Sequence, residues 1–122
     1  MSTKRDKFTN KDRYFMNLAF NLARDRSGLT GKNPPVGCVI VKNEEIISIG
    51  QTGLMGRPHA EYNAIKSSKS KLKGSTIYVS LEPCTHYGKT PPCSNLIIKS
   101  KIKKVIFSIM DFDKRTRAKS IK

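Results

Sequence analysis

Four residues have the types and the order that hydrolytic metal chemistry uses: His59, Glu61, Cys84 and Cys93. One imidazole and two thiolates suit Zn²⁺, and three protein ligands leave a fourth position open for water, as catalytic zinc sites do. Bound zinc lowers the pKa of such a water toward ~7. A carboxylate beside the metal, but not on it, can then move protons. We therefore predict zinc as cofactor, His59, Cys84 and Cys93 as its ligands, and Glu61 as the catalytic proton carrier.

The spacing of the two cysteines is unusual, because residues 85–92 separate Cys84 from Cys93. Zinc-binding cysteine pairs commonly have two to four residues between them. The stretch could instead be a disulfide loop or two unrelated cysteines. The chain has 3 cysteines and no secretory signal, which indicates a reducing, cytoplasmic compartment and disfavours the disulfide. Cys38 lies in a β-branched run and is interpreted as a small buried hydrophobe, not a fourth ligand.

The elements that would position these residues follow from periodicity and turn signals. A helix starts at Thr9–Asp12 and stops near Gly28; later helices begin near His59 and at Pro91. The predicted strands are 36–41, 46–50, 76–81 and 105–110, the first two forming a hairpin of buried strands. The order α-β-β-α-β-α-β predicts an α/β domain with helices on both faces of a sheet. No clear element follows the fourth strand.

Composition limits the function classes. A chain of 122 residues is one domain, and with 37% hydrophobic residues it has no run long enough to span a membrane. A net charge of +15 suits a nucleic-acid binder or an enzyme whose substrate carries phosphate. Few aromatic residues lie among the basic ones, which weakens the interpretation as a single-strand binder. Nucleic acid is therefore disfavoured as the partner, and a membrane partner is excluded.

Three stretches together carry a specific resemblance: NPPVGCVIV (33–41), HAEYNAI (59–65) and LEPCTHYGKTPPC (81–93). H-A-E and the following P-C match the zinc-deaminase pattern H-x-E…P-C-x-x-C, except that the second cysteine is six residues further on. From about Tyr14 to Asp111 the chain resembles the deaminase domain of the bifunctional riboflavin-biosynthesis deaminase/reductase family. The resemblance implies a cytidine-deaminase-like α/β/α three-layer sandwich. It also implies hydrolytic deamination of 2,5-diamino-6-ribosylamino-4(3H)-pyrimidinone 5′-phosphate, a small phosphorylated pyrimidine.

The resemblance also implies substrate contacts, at Asn33, His86, Lys89, Thr90 and Asp111. Lys89 and Thr90 lie in the long cysteine loop and would contact the phosphate. Two positions depart from the family. Thr52 stands where the family usually has histidine, and Asp113 stands in place of the asparagine of a D-P-N-P stretch. Substrate contacts at those two places are therefore not carried over.

Residues 1–122 are expected to form one zinc-dependent deaminase domain, with a tail at about 1–10. The sandwich is expected to be truncated at its C-terminus, with the family's reductase domain absent. The family also implies a homo-oligomer. Two other functions compete with this interpretation. One is a nucleic-acid deaminase of the tRNA adenosine type, or another nucleotide deaminase, which the H-A-E core and the charge would suit. The other is a zinc-stabilised module without catalysis.

Overall fold

The predicted helices and strands are present in the computed structural model, which describes residues 8–80, 93–110 and 116–121. The helices are α1 (Asn10–Asp25), α2 (Ala60–Ser67) and α3 (Cys93–Lys99), and a short 3-10 turn covers Leu54–Gly56. The strands are β1 (Gly37–Lys42), β2 (Glu45–Gln51), β3 (Thr76–Val79), β4 (Lys104–Met110) and β5 (Thr116–Ile121). Among the described residues, no helix is both long and apolar enough to cross a membrane.

The strands form one mixed sheet in the order β2-β1-β3-β4-β5. β1 pairs antiparallel with both β2 and β3, β3 pairs parallel with β4, and β4 pairs antiparallel with β5. Because β1 and β3 run in opposite directions, the start of β1 lies beside the end of β3. The end of β2 lies at the same edge of the sheet, so the connections into α2 and out of β3 leave from one place.

Helices cover both faces of the sheet, which confirms the predicted three-layer architecture. On one face, α1 packs on the central strands. The cluster comprises Phe15, Met16 and Ala19 of the helix and Val39, Val41, Tyr78 and Ile106 of the strands. On the other face, α2 and α3 pack on a second cluster, which comprises Cys38, Ile40, Ala60, Ala64, Ile65, Ile77, Val79, Ile97, Val105 and Phe107. Successive β1 residues alternate between the two clusters. Burial on both faces explains why β1 is an unbroken apolar run.

The edge strand β2 corrects the prediction that both hairpin strands are buried. β1 is buried along nearly its whole length, but Ile46 and Ile49 of β2 are 42% and 51% exposed. Ile49 pairs with Val39, so it lies on the α1 face of the sheet. α1 packs mainly over β1 and β3, and the outer strand stays in contact with solvent on that face. Hydrophobicity alone did not distinguish an edge strand from a central one.

The strand β5 corrects a second prediction, that no element follows the fourth strand. Thr116–Ile121 pairs with β4 from Val105↔Ile121 to Met110↔Thr116. Its sequence, TRAKSI, lacks the apolar alternation from which strands were predicted. Strand pairing uses backbone hydrogen bonds, so a polar segment can join the edge of a sheet. The supposed absence of a further element was therefore wrong.

The start of α1 is joined to the centre of the sheet by a buried hydrogen bond. Thr9 caps the helix, and its hydroxyl and the Asp12 carboxylate each accept a hydrogen bond from the other's backbone N–H. The Tyr78 hydroxyl of β3 donates to the second oxygen of Asp12 at 2.6 Å. Burial raises the pKa of Tyr78, and the hydrogen bond to Asp12 raises it further. The helix start predicted from sequence is thus also an attachment point between layers.

Tyr78→Phe is expected to lower the free energy of unfolding by about 1.5–3 kcal/mol, because the buried Asp12 carboxylate loses its hydroxyl donor. Urea unfolding followed by circular dichroism measures the change. Tyr14→Phe is the matched control, since Tyr14 is 60% exposed, and should change stability by less than about 0.5 kcal/mol. Equal effects of the two substitutions would contradict this role for the Asp12–Tyr78 hydrogen bond.

Candidate metal centre and active site

The candidate site lies where α2 and α3 begin, at the edge of the sheet where β2 and β3 end. His59 is the N-cap residue of α2, with extended backbone angles of φ −70° and ψ 159°. Glu61 follows in the first turn of the same helix, and Cys93 is the first residue of α3. His59, Glu61 and Cys93 therefore come from the starts of two helices that pack on one face of the sheet.

The structure brings His59 and Cys93 together, with the His59 Nδ1 atom 3.5 Å from the Cys93 sulfur. A tetrahedral zinc with bonds of about 2.3 Å to sulfur and 2.0–2.1 Å to nitrogen holds two such atoms about 3.5–3.6 Å apart. The separation therefore fits two ligands of one zinc ion. Cys93 is 4% exposed, so the thiol faces the inside of the site.

Glu61, two residues after His59 in the first turn of α2, is buried, at 3% exposure. Burial raises the pKa of its carboxyl group to about 7, and a hydrogen bond with its own backbone opposes the rise. A carboxyl group with a pKa in this range can both accept and donate a proton near neutral pH. The arrangement of an imidazole, a thiol and a buried carboxyl group therefore suits metal-assisted proton transfer.

Other predicted site residues fall outside the part of the chain that the structure describes. These are Cys84, His86, Lys89, Thr90 and Asp111. Within the described residues, no group of three or more His, Cys, Asp or Glu side chains could hold a metal ion. His59 and Cys93 are two of the three predicted ligands, and the third, Cys84, is among the residues not described.

Asn33 lies in the loop between α1 and β1 and holds the loop that precedes α2. Its Nδ2 donates to the Gly56 carbonyl at 2.9 Å. The Thr30 hydroxyl donates to the Asn33 carbonyl, which fixes the turn that carries Asn33. With Nδ2 engaged in this way, the remaining Oδ1 can accept a hydrogen bond from another group.

Thr52 has a structural role at the position where the resembled family usually carries histidine. It is 2% exposed, and its hydroxyl oxygen accepts the Val36 N–H at 2.8 Å. The Val36 carbonyl in turn accepts the Thr52 N–H at 3.0 Å. The Thr52 side chain thus joins the end of β2 to the approach to β1.

Cys38 is fully buried in the cluster beneath α2 and α3, as the sequence predicted. Burial raises the pKa of its thiol, and the charges of Glu61 and Cys93 raise it further. Those contributions show that Cys38 lies near the site. Its packing among apolar side chains fits the predicted role of a small buried hydrophobe.

Gly50 lets α2 lie directly against the sheet. A Cβ atom at this position would overlap the Ala60 carbonyl oxygen and would lie 2.6 Å from the Ala64 amide nitrogen. The backbone of α2 therefore packs on β2 with no side chain between them. Because His59 and Glu61 are at the start of this helix, its distance from the sheet sets their position.

Gly50→Ala is expected to destabilise the fold by about 1–3 kcal/mol, because the added methyl group must push α2 away from β2. The same shift should move His59 relative to Cys93 and weaken zinc binding. Urea unfolding and zinc titration measure the two effects. Gly28→Ala is the comparison: its added Cβ meets nothing within 4 Å, but φ is +79°. That change should cost stability through backbone strain alone and leave zinc affinity intact.

One residue near the site, Asn63, was not predicted from the sequence. Asn63 lies on α2, and its Nδ2 donates to the Gln51 carbonyl at 2.7 Å and to the Pro58 carbonyl at 3.3 Å. Its position four residues after His59 was a signal, because residues at this spacing share one side of a helix. The acceptors are loop carbonyls, which no side-chain pattern reveals.

Comparison with known proteins first shows the family to which the chain belongs. Residues 9–109 match the model of the cytidine and deoxycytidylate deaminase zinc-binding region. The chain therefore belongs to the cytidine and deoxycytidylate deaminase zinc-binding family. A zinc cofactor, predicted from the ligand types, is a property of this family.

The relatives define a narrower group. The chain is 46% identical over 111 residues to the diaminohydroxyphosphoribosylamino-pyrimidine deaminase of Buchnera aphidicola from Schizaphis graminum, covering 91% of this chain and 76% of that protein. It is 48% identical over 100 residues to riboflavin biosynthesis protein RibD of Aquifex aeolicus, covering 82% of this chain and 28% of that protein. Within the family, the chain thus falls among the diaminohydroxyphosphoribosylamino-pyrimidine deaminases, as its resemblance indicated.

A solved structure supports the fold. The chain superimposes with a TM-score of 0.76 and 47% identity on a diaminohydroxyphosphoribosylaminopyrimidine deaminase/5-amino-6-(5-phosphoribosylamino)uracil reductase from Thermotoga maritima, covering 81% of this chain and 29% of that chain. The cytidine-deaminase-like architecture is therefore confirmed. The chain spans less than a third of the length of this bifunctional protein and of the Aquifex relative.

Proposed function

We propose that the chain catalyses the hydrolytic deamination of 2,5-diamino-6-ribosylamino-4(3H)-pyrimidinone 5′-phosphate. The products are 5-amino-6-(5-phosphoribosylamino)uracil and ammonia, which makes the chain a hydrolase acting on a cyclic amidine in riboflavin biosynthesis. The substrate rests on one observation: 46% identity, over 91% of the chain, to a protein named for this deamination. The site supports the reaction class, because it combines two zinc-type ligands with a buried carboxyl group.

We infer that His59, Cys84 and Cys93 hold the zinc ion. When bound, zinc supplies the Lewis acidity that makes a water molecule a nucleophile at neutral pH. Support for two of the three ligands comes from the 3.5 Å separation of His59 Nδ1 and Cys93 Sγ. The role of Cys84 rests on its place in the P-C motif.

Glu61 moves the protons in this proposal. Its carboxylate accepts a proton as water adds to the ring carbon, and its carboxyl group then donates a proton to the departing amine. Water is consumed, the carbon–nitrogen bond breaks, and a carbonyl group and ammonia result. Glu61 is 3% exposed, which limits the exchange of this proton with bulk water.

Substrate contacts are assigned to Asn33, His86, Lys89, Thr90 and Asp111. Lys89 and Thr90 would bind the phosphate through a cation and a hydroxyl group. For Asn33, the hydrogen bond from Nδ2 to the Gly56 carbonyl supports a defined role, since it leaves Oδ1 as an acceptor for a substrate N–H.

The experiment measures ammonia release by the purified, zinc-loaded chain from the phosphorylated diaminopyrimidine. We expect turnover of this substrate and none of the dephosphorylated form at the same concentration. If neither this chain nor a longer form of the protein releases ammonia, the proposal is wrong.

The nucleic-acid alternative is not favoured, since the relatives are deaminases of riboflavin biosynthesis. Incubation with tRNA, followed by nucleoside analysis, tests it directly. Formation of inosine, together with binding that weakens steeply with salt, would reverse the assignment.

A cytoplasmic location without a membrane partner is proposed with this function, because thiolate ligands persist in a reducing compartment. The homo-oligomer implied by the resemblance stays a prediction. Light scattering coupled to gel filtration measures the mass of the particle in solution.

A further inference from the structure

The residue immediately before His59 is held by an unusual set of contacts. The Pro58 carbonyl accepts two hydrogen bonds, from the Gly53 N–H at 2.8 Å and from Asn63 Nδ2 at 3.3 Å. The same Nδ2 donates at 2.7 Å to the Gln51 carbonyl, at the end of β2. One side-chain amide of α2 therefore connects both ends of the loop that leads to His59.

The position of the His59 ring depends on this backbone. His59 is the N-cap residue, yet its side chain makes no capping hydrogen bond to α2, and its Nδ1 faces Cys93 instead. Its backbone carbonyl accepts the Asn63 N–H at 3.0 Å. Asn63 thus contacts His59 through its main chain and the preceding residue through its side chain.

The chemistry of asparagine suits this role. Its amide nitrogen carries two N–H donors, which matches two carbonyl acceptors. Asp has the same shape but no donor when ionised. Gly50 sets α2 directly against β2, and Asn33 holds Gly56 in the middle of the loop at 52–58. Asn63 donates at the two ends of that loop, to the Gln51 and Pro58 carbonyls.

We propose that Asn63 is a positioning residue for the zinc site: its side-chain amide holds the 51–58 backbone so that His59 meets Cys93 at ligand distance. Zinc retention follows from the position of the two ligands. A fall in turnover is expected to accompany the loss of zinc, and this second expectation rests on the deamination proposed above. Removing a group that orients a metal ligand typically weakens metal binding 10–100-fold, and we expect about 10-fold here.

The test compares Asn63→Ala and Asn63→Asp with Ser48→Ala. Alanine favours helix more than asparagine does, so Asn63→Ala should fold. Ser48→Ala is the matched control, because the Ser48 hydroxyl also joins β2 to α2, by donating to the carbonyl of Ala64 in the middle of the helix. It removes a hydrogen bond between the same two elements, but one that does not involve the 51–58 backbone leading to His59.

Three readouts are taken on the full chain. Competition with a chromophoric chelator gives the zinc affinity, the visible spectrum of the Co²⁺-loaded protein reports the ligand geometry, and thermal unfolding in chelator gives the stability of the metal-free fold. We expect both Asn63 variants to bind zinc about 10-fold more weakly and to show an altered Co²⁺ spectrum, with Asp the weaker binder. Ser48→Ala should lose stability and keep both metal properties.

Wild-type zinc affinity and an unchanged Co²⁺ spectrum in both Asn63 variants would overturn the proposal. Equal loss of zinc affinity in Ser48→Ala would overturn it too, since the effect would then follow general stability. These readouts involve no substrate, so they decide the role of Asn63 even if the proposed substrate is wrong.

Discussion

The Glu61→Gln protein is expected to keep its zinc and to release ammonia about 10²–10⁴-fold more slowly than the wild type. Gln has nearly the shape of Glu but cannot accept and return a proton. Because Glu61 is 3% exposed, no bulk water replaces it readily as a proton carrier. Steady-state ammonia release, with zinc content measured on the same samples, gives both quantities.

Glu45→Gln is the matched control for this change, since Glu45 is an exposed carboxylate at the start of β2. It should leave both turnover and zinc content unchanged. Wild-type turnover in Glu61→Gln would remove Glu61 from the mechanism. If the wild type bound zinc, and neither the wild type nor Glu61→Gln turned over any substrate, the interpretation as a zinc-stabilised module without catalysis would gain support instead.

The second large effect concerns the metal. Cys93→Ala should weaken zinc binding by more than about 100-fold, beyond what the loss of an orienting group causes. A ligand bond is removed, and His59, 3.5 Å away, would have to bind with one partner fewer. Zinc affinity by chelator competition, and metal content after gel filtration, measure the loss. Turnover should fall with the zinc content.

Cys38→Ala supplies the comparison, because Cys38 is equally buried and lies near the same site. It should cost stability through the small cavity it leaves and should retain zinc. Loss of zinc from both variants would make Cys38 a ligand and contradict the predicted ligand set. Retention by both would remove Cys93 from it.

The helices and most strands were predictable from local signals. Thr9 and Asp12 marked the start of α1, and both form the capping box. The β-branched run at 36–41 became β1 because burial on both faces favours such residues. The polar strand β5 was not predictable, since its pairing with β4 depends on backbone hydrogen bonds at the sheet edge. The exposure of Ile46 and Ile49 in β2 was not predictable either, because it depends on which strands α1 covers.

The sequence by itself determined the chemistry of this protein: the types of its candidate ligands, the carboxylate two residues from the histidine, and the long cysteine loop that made its family recognisable. Only the tertiary structure decided that His59 and Cys93 lie at ligand distance, that Glu61 is buried with a raised pKa, and that Asn63 holds the loop before His59. The physical reason is that distance, burial and carbonyl acceptors arise from packing between elements far apart in the chain, whereas residue type and spacing are local.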